Sequence, residues 1–118
     1  ASMGADGLIV SNHGGRQLDG APASIEVLPE IVDAVGEKID VYMDGGIRSG
    51  QDVYKAIAAG AKGTFIGKAF LNGLGAQGKQ GVTTCLEIIE KELDLTMAFC
   101  GYTDIGNVDR TPVWSPQA

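Results

Sequence analysis

Apolar residues come in short runs that end in polar, glycine-rich loops, and each run is followed by a segment where they recur at helical spacing. Gly7-Leu8-Ile9-Val10 is the first such run. Its shortness and polar continuation predict a buried parallel strand, and Ile25, Leu28, Val32 and Val35 then mark the inward face of a helix. Pro29 interrupts that face, predicting a kink or a restart with proline in the first turn of a second segment, and Gly36 ends it.

Asp40 to Met43 predicts a second strand, Asp44 to Gly50 a second glycine-rich loop, and Gln51 to Ala59 a helix with Val53 and Ile57 inward and Gly60 as the residue after its end. A third strand is expected over Gly63 to Ile66, a turn at Gly67-Lys68, and a short helix through Ala69-Phe70-Leu71. From Gly81 a longer helix carries Val82, Leu86, Ile89, Leu93 and Met97 on one stripe. The segment Tyr102 to Ala118, with Pro112 and Pro116, reads as loop. Three strand–helix units in succession imply an α/β fold with a parallel sheet, and no linker divides residues 1–118 into two domains.

Composition narrows the picture. Glycine accounts for 18 of 118 residues, against the usual ~7%, and clusters at Gly14-Gly15, Gly45-Gly46 and Gly73-Leu74-Gly75, which reads as turns and close-approach sites. A net charge of −6 with interspersed signs offers no basic patch for nucleic acid or an anionic membrane. The apolar runs are too short for a membrane span or a secretory signal. Cys85 and Cys100 lie outside any C-x-x-C spacing, so they are expected to be reduced, helix-packing thiols of a cytoplasmic protein without a disulfide. Starting at Ala1 and reaching a strand almost at once, the chain has the expected character of a processed or partial polypeptide.

The candidate chemistry lies where the strands end. Ser11 to Asp19 holds the only histidine, His13, three residues before Arg16, in a turn with Gly14 and Gly15. An imidazole can take a proton near neutral pH and a guanidinium can hold a carboxylate with two parallel bonds. A loop histidine bonded to backbone is the plainer reading of His13 alone, and Arg16 tilts the balance toward chemistry. Asp44, Gly45, Gly46, Ile47 and Arg48, followed by Gly67 and Lys68, form a second group. Paired glycines let backbone N–H groups approach an anion, and the helix after Gly67 points its positive end the same way. This resembles the phosphate site that (β/α)₈ barrels build from their last two loops. Asp19 is expected to fix its loop or a neighbouring arginine, no metal-ligand spacing is present, and Tyr42, Tyr54 and Tyr102 look too scattered for a stacking platform.

Together, Ser11 to Asp19, Asp44 to Gly50 and Gly63 to Phe70 resemble the carboxyl-terminal part of the FMN-dependent α-hydroxy-acid oxidases and dehydrogenases, the glycolate oxidase and L-lactate dehydrogenase type. Leu95 to Gly101 is similar to the last helix of the bacterial lactate dehydrogenases. The resemblance implies the last three βα units and C-terminal helix of a TIM (β/α)₈ barrel, with FMN as cofactor and a small L-2-hydroxy acid, lactate or glycolate, as substrate. It also implies that His13 is the catalytic base, Arg16 holds the substrate carboxylate, and Asp44 to Arg48 with Gly67 and Lys68 contact FMN, chiefly its phosphate. Lys68 stands where the family usually has arginine, which turns a fork into a point charge. A barrel takes ~250 residues, so the chain is expected to need a missing amino-terminal half-barrel or to self-associate, and to be inactive alone. Two alternatives stay open: another flavin barrel, an isomerase or nucleotide dehydrogenase sharing only the phosphate loops, and a catalytically silent fragment.

Overall fold

The structure, a computed structural model, describes residues 1–114. Three parallel strands, β1 (Gly7–Val10), β2 (Asp40–Met43) and β3 (Gly63–Thr64), lie side by side in chain order. Leu8 sits opposite Val41 and Val10 opposite Met43, and these four share one face of the sheet. That face carries the core, in which Leu28 and Val41 are fully buried. Ile9, Tyr42 and Phe65 belong to the opposite face, where Ile9 is 52% and Phe65 49% exposed and the Tyr42 and Phe65 rings meet edge-on at 5.9 Å.

The ladder of β3 is shorter than its apolar run, because the Phe65 N–H still reaches the Met43 carbonyl at 2.9 Å but the backbone leaves strand geometry by Gly67 (φ −118°, ψ −83°). Helix α1 (Ser24–Val35) runs as one element through Pro29, with no restart. Leu28 and the half-buried Val27, Ile31 and Val32 hold both sides of the proline on one apolar surface, which overrides the single lost helical bond.

Helix α2 (Gly50–Ala58) begins in a reciprocal cap. The Ser49 hydroxyl accepts from the Asp52 N–H at 3.2 Å, and the Asp52 carboxylate accepts from the Ser49 N–H at 3.0 Å. Val53 is half-buried against the core, as expected, whereas Ile57 is half-buried outside it; the fully inward positions are Gly50, Tyr54 and Ala58 on one stripe, and Ala56. The reason is tertiary, since α2 packs most extensively on α3 (Lys68–Cys100), which covers that stripe.

Helix α3 is broken at Gln77 and Gly78, where Gly78 has φ +58°. The short helix thus runs past Leu71 to the break, and Gly73 is a close-approach site inside it rather than a turn. A Cβ on Gly73 would lie 2.6 Å from the Gly81 carbonyl oxygen, so the two halves cross backbone to backbone. Along the second half Val82, Ile89, Leu93 and Met97 are half-buried, whereas Leu86 is 50% exposed. Past Gly101 the chain is irregular apart from one 3₁₀ turn, Ile105–Asn107. Residues 115–118, Pro116 among them, lie outside the described residues.

Candidate functional site

Because the three strands are parallel and adjacent, the loops that follow them emerge along one edge of the sheet. The first is organised by Asn12. Its side chain accepts from the Gly14 N–H at 3.0 Å and donates to the Pro22 carbonyl at 3.2 Å, while its own carbonyl accepts from the Gly15 N–H. Ser11 adds a bond from the His13 N–H to its hydroxyl at 3.1 Å. This network holds His13 at φ +53°, the only non-glycine residue with positive φ among the described residues. Such a conformation costs a side chain about 1 kcal/mol or more, and it keeps the imidazole exposed at the loop's apex. Arg16 follows, also exposed, and its N–H donates to the His13 carbonyl at 3.3 Å.

The second loop spans Asp44 to Gly50. Gly45 (φ +92°) and Gly46 (φ +79°) turn the backbone, and the buried side chain of Ile47 anchors it to the core. Downstream N–H groups are taken by carboxylates: Arg48 and Ser49 donate to Asp52 at 3.0 Å each, and Gly50 donates to Glu92 at 2.9 Å. With the Asp52 N–H on the Ser49 hydroxyl, four N–H groups around the start of α2 therefore already have side-chain acceptors. No such bond engages the N–H groups of Gly45, Gly46 and Ile47 among the described residues, and no atom lies within 4 Å of a Cβ built on Gly46. A backbone cradle of this kind is what a phosphate ester needs. In the third loop Gly67 caps α3, Lys68 is its first residue and is exposed, and among the described residues the first helical N–H groups have no side-chain cap.

A cavity of about 480 Å³ joins the first two loops, lined among others by Asn12, Gly14, Ser24, Gly45, Gly46 and Ile47. Ser24, which starts α1, is buried, and its hydroxyl has no hydrogen-bond partner among the described residues. His13, Arg16, Arg48, Gly67 and Lys68 share the sheet edge but do not line this cavity. Nor does Asp19 fulfil its expected role: its carboxylate lies beside Gly15 and makes no hydrogen bond among the described residues. Asn12, Ser24, Asp52 and Glu92 were missed in the sequence. Only the Ser49-x-x-Asp52 spacing, a capping box, offered a local signal.

Away from this edge, Cys85 and Cys100 are both half-buried and are not joined to each other. Of the tyrosines, Tyr54 and Tyr102 approach to 6.3 Å with tilted rings while Tyr42 meets Phe65, and burial followed by the neighbouring Cys100 thiol pushes the Tyr54 phenol above its usual range. Among the described residues no group of His, Cys, Asp or Glu can hold a metal ion, and no helix is long and apolar enough to cross a membrane.

Comparison with known proteins gives this edge its context. Mouse (Mus musculus) 2-hydroxyacid oxidase 1 is 53% identical over 110 residues, which cover 93% of this chain and 30% of that protein. The L-lactate dehydrogenase of Caulobacter vibrioides is 50% identical over 111 residues, 94% of this chain and 29% of that one. Among solved structures, a soluble mutant of the membrane-associated (S)-mandelate dehydrogenase from Pseudomonas putida superposes with a TM-score of 0.88 at 43% identity, over 92% of this chain and 31% of that one. The chain thus spans under a third of these relatives' lengths. Residues 1–115 match the family model for FMN-dependent dehydrogenases, and the chain belongs to that FMN-dependent family.

Proposed function

We propose that the protein containing this chain oxidises an L-2-hydroxy acid of the lactate or glycolate type to the 2-oxo acid, and that this chain supplies the catalytic loop and the cofactor-phosphate loops. The observation that carries the reading is the common sheet edge, where the loop of the strained, exposed His13 and Arg16 shares a cavity, through Asn12 and Gly14, with an open backbone cradle at Gly45 to Ile47. His13 accepts the proton that substrate loses, and Arg16 holds the substrate carboxylate through its planar fork. FMN, when bound, takes up the two electrons. Its phosphate fits the free N–H groups of Gly45, Gly46 and Ile47, with the Asp44 turn, Arg48, Gly67 and Lys68 around it.

In this reading the three strands are the last three of a (β/α)₈ barrel, supported by the parallel order and by the exposed Ile9 and Phe65, which another part of a barrel would cover. The complementary half-barrel is then the chain's physical partner. A reduced cytoplasmic setting is also proposed, supported by the two unpaired thiols, and fractionation of the full-length protein between cytosol and membrane tests it.

The decisive experiment is anaerobic flavin bleaching of the full-length protein by L-lactate and glycolate, with His13→Ala alongside. Bleaching that depends on His13 supports the proposal. Flavin binding without bleaching by any 2-hydroxy acid favours another flavin barrel, and absence of flavin favours a silent module.

A further inference from the structure

The second half of α3 touches both anion loops from behind. At one end the Glu92 carboxylate, half-buried, accepts from the Gly50 N–H at 2.9 Å across 42 positions of sequence. Gly50 is the last residue of the Asp44 to Gly50 loop, and a Cβ there would collide with the backbone of Leu93 and Glu92 and lie 2.6 Å from the Ile89 carbonyl oxygen. Nothing larger than glycine fits, so the α3 backbone sits directly against the end of the loop. Near the other end the Cys85 thiol donates to the Ala69 carbonyl at 3.4 Å, one residue beyond Lys68, and Gly81 crosses Gly73 backbone to backbone. The loops themselves follow separate strands, β2 and β3, and are also linked by the packing of α2 on β3.

We propose that residues 79–100 act as a strut that sets the spacing between the two phosphate loops, with Glu92 as the positioning residue for the first. The inference rests on the proposed cofactor site and adds to it a residue that touches no cofactor. Glu92 acts in two ways. It holds the Gly50 N–H, together with Asp52 on Arg48 and Ser49, so that the loop's remaining free donors are those of Gly45 to Ile47. It also puts a carboxylate at the start of α2, which offsets the positive end of that helix and leaves the cradle as the favourable place for an outside anion. Cradle geometry is sensitive to displacements well under an ångström, so releasing the support should loosen the grip on phosphate without removing any contact to it.

The test is titration of the full-length apoprotein with FMN, followed by flavin fluorescence, with riboflavin as the ligand lacking the phosphate. Glu92→Ala should weaken FMN about tenfold, as expected for a lost hydrogen bond to a charged acceptor, and leave riboflavin unchanged. Glu92→Gln, which keeps the reach, should bind FMN within about threefold of the parent. An unchanged FMN affinity in Glu92→Ala, or an equal loss for FMN and riboflavin, overturns the strut. Should Glu92→Ala fail to fold, Glu92→Asp decides: it keeps the charge but is one methylene short, so weaker FMN binding than in Glu92→Gln supports the proposal and equal binding overturns it. The Arg48→Ala, Lys68→Ala double variant separates the two levels. If it binds FMN as tightly as the parent, the phosphate-site reading itself fails; if it loses FMN while Glu92→Ala does not, only the strut fails.

Discussion

Gly45 lies against Ser24 so closely that a Cβ on the glycine would stand 3.0 Å from the serine hydroxyl. The start of α1 thereby fixes where the Asp44 to Gly50 loop can run, and glycine is favoured at position 45 twice over, by its φ of +92° and by this contact.

Gly45→Ala should cost about 1–3 kcal/mol of stability, the range for a side chain forced into a sparsely populated conformation, and should weaken FMN retention. Ser24→Ala removes a hydroxyl that is buried without a partner, so its stability should be within about 0.5 kcal/mol of the parent or above it. Urea unfolding of the full-length pair checks both, and a large loss in Ser24→Ala would mean the hydroxyl is satisfied.

His13→Ala should slow flavin reduction by roughly 10²- to 10⁴-fold with little change in substrate affinity, the usual size of a lost general base. Arg16→Lys should raise KM and lower the rate together, because an ammonium cannot copy the guanidinium fork. Rapid-mixing kinetics of the full-length enzyme separates the two, and an unaltered Arg16→Lys enzyme would remove the guanidinium from the substrate site.

Lys68→Arg should tighten FMN, since a planar fork replaces a point charge, and Lys68→Ala should loosen it. Arg48→Ala should also loosen it while leaving the α2 cap intact, because Arg48 joins that cap through its backbone N–H. Dissociation constants from fluorescence titration give the order; Lys68→Arg binding no tighter than the parent would place Lys68 away from the phosphate.

The segment after α3 should show pH-dependent attachment. Tyr102 donates to the Asp109 carboxylate at 2.7 Å, and this bond, then the Thr111 N–H, holds Asp109 below its ordinary value. The same bond raises the Tyr102 phenol. The stabilisation from Asp109 is full above the usual carboxylate value of about 3.9 and is lost as pH falls through the lowered one; that from Tyr102 is full below about 10 and is lost as pH rises through the raised one. Amide protection over residues 102–111, taken relative to the intrinsic exchange rate at each pH, should thus fall at both extremes, and Tyr102→Phe should abolish the alkaline limb of that fall and blunt the acid one.

The 118-residue chain alone should bind hydrophobic dyes and self-associate, since among the described residues β1 and β3 each have an unpaired edge and Ile9 and Phe65 lie open. Analytical ultracentrifugation showing a compact, dye-silent monomer would count against the half-barrel as partner.

Local pattern alone was enough to read the strands at Gly7–Val10 and Asp40–Met43, the helix after Ser49 and the two glycine-rich loops, because runs, caps and positive-φ turns are set by neighbours in the chain. The turns at Gly14-Gly15 and Gly45-Gly46 were legible for the same reason, since a positive φ is a local property that paired glycines announce. What the tertiary structure decided lies where distant segments meet. Tyr54 rather than Ile57 turns inward because α3 covers that stripe, and Pro29 stays within one helix because Leu28 is clamped in the core. Gly73 packs rather than turns because Gly81 crosses it, and Glu92 supports a loop 42 residues away. None of these has a local cause: a contact between remote residues is set by how helices lie on the sheet, and periodicity along the chain carries no record of which partner will arrive.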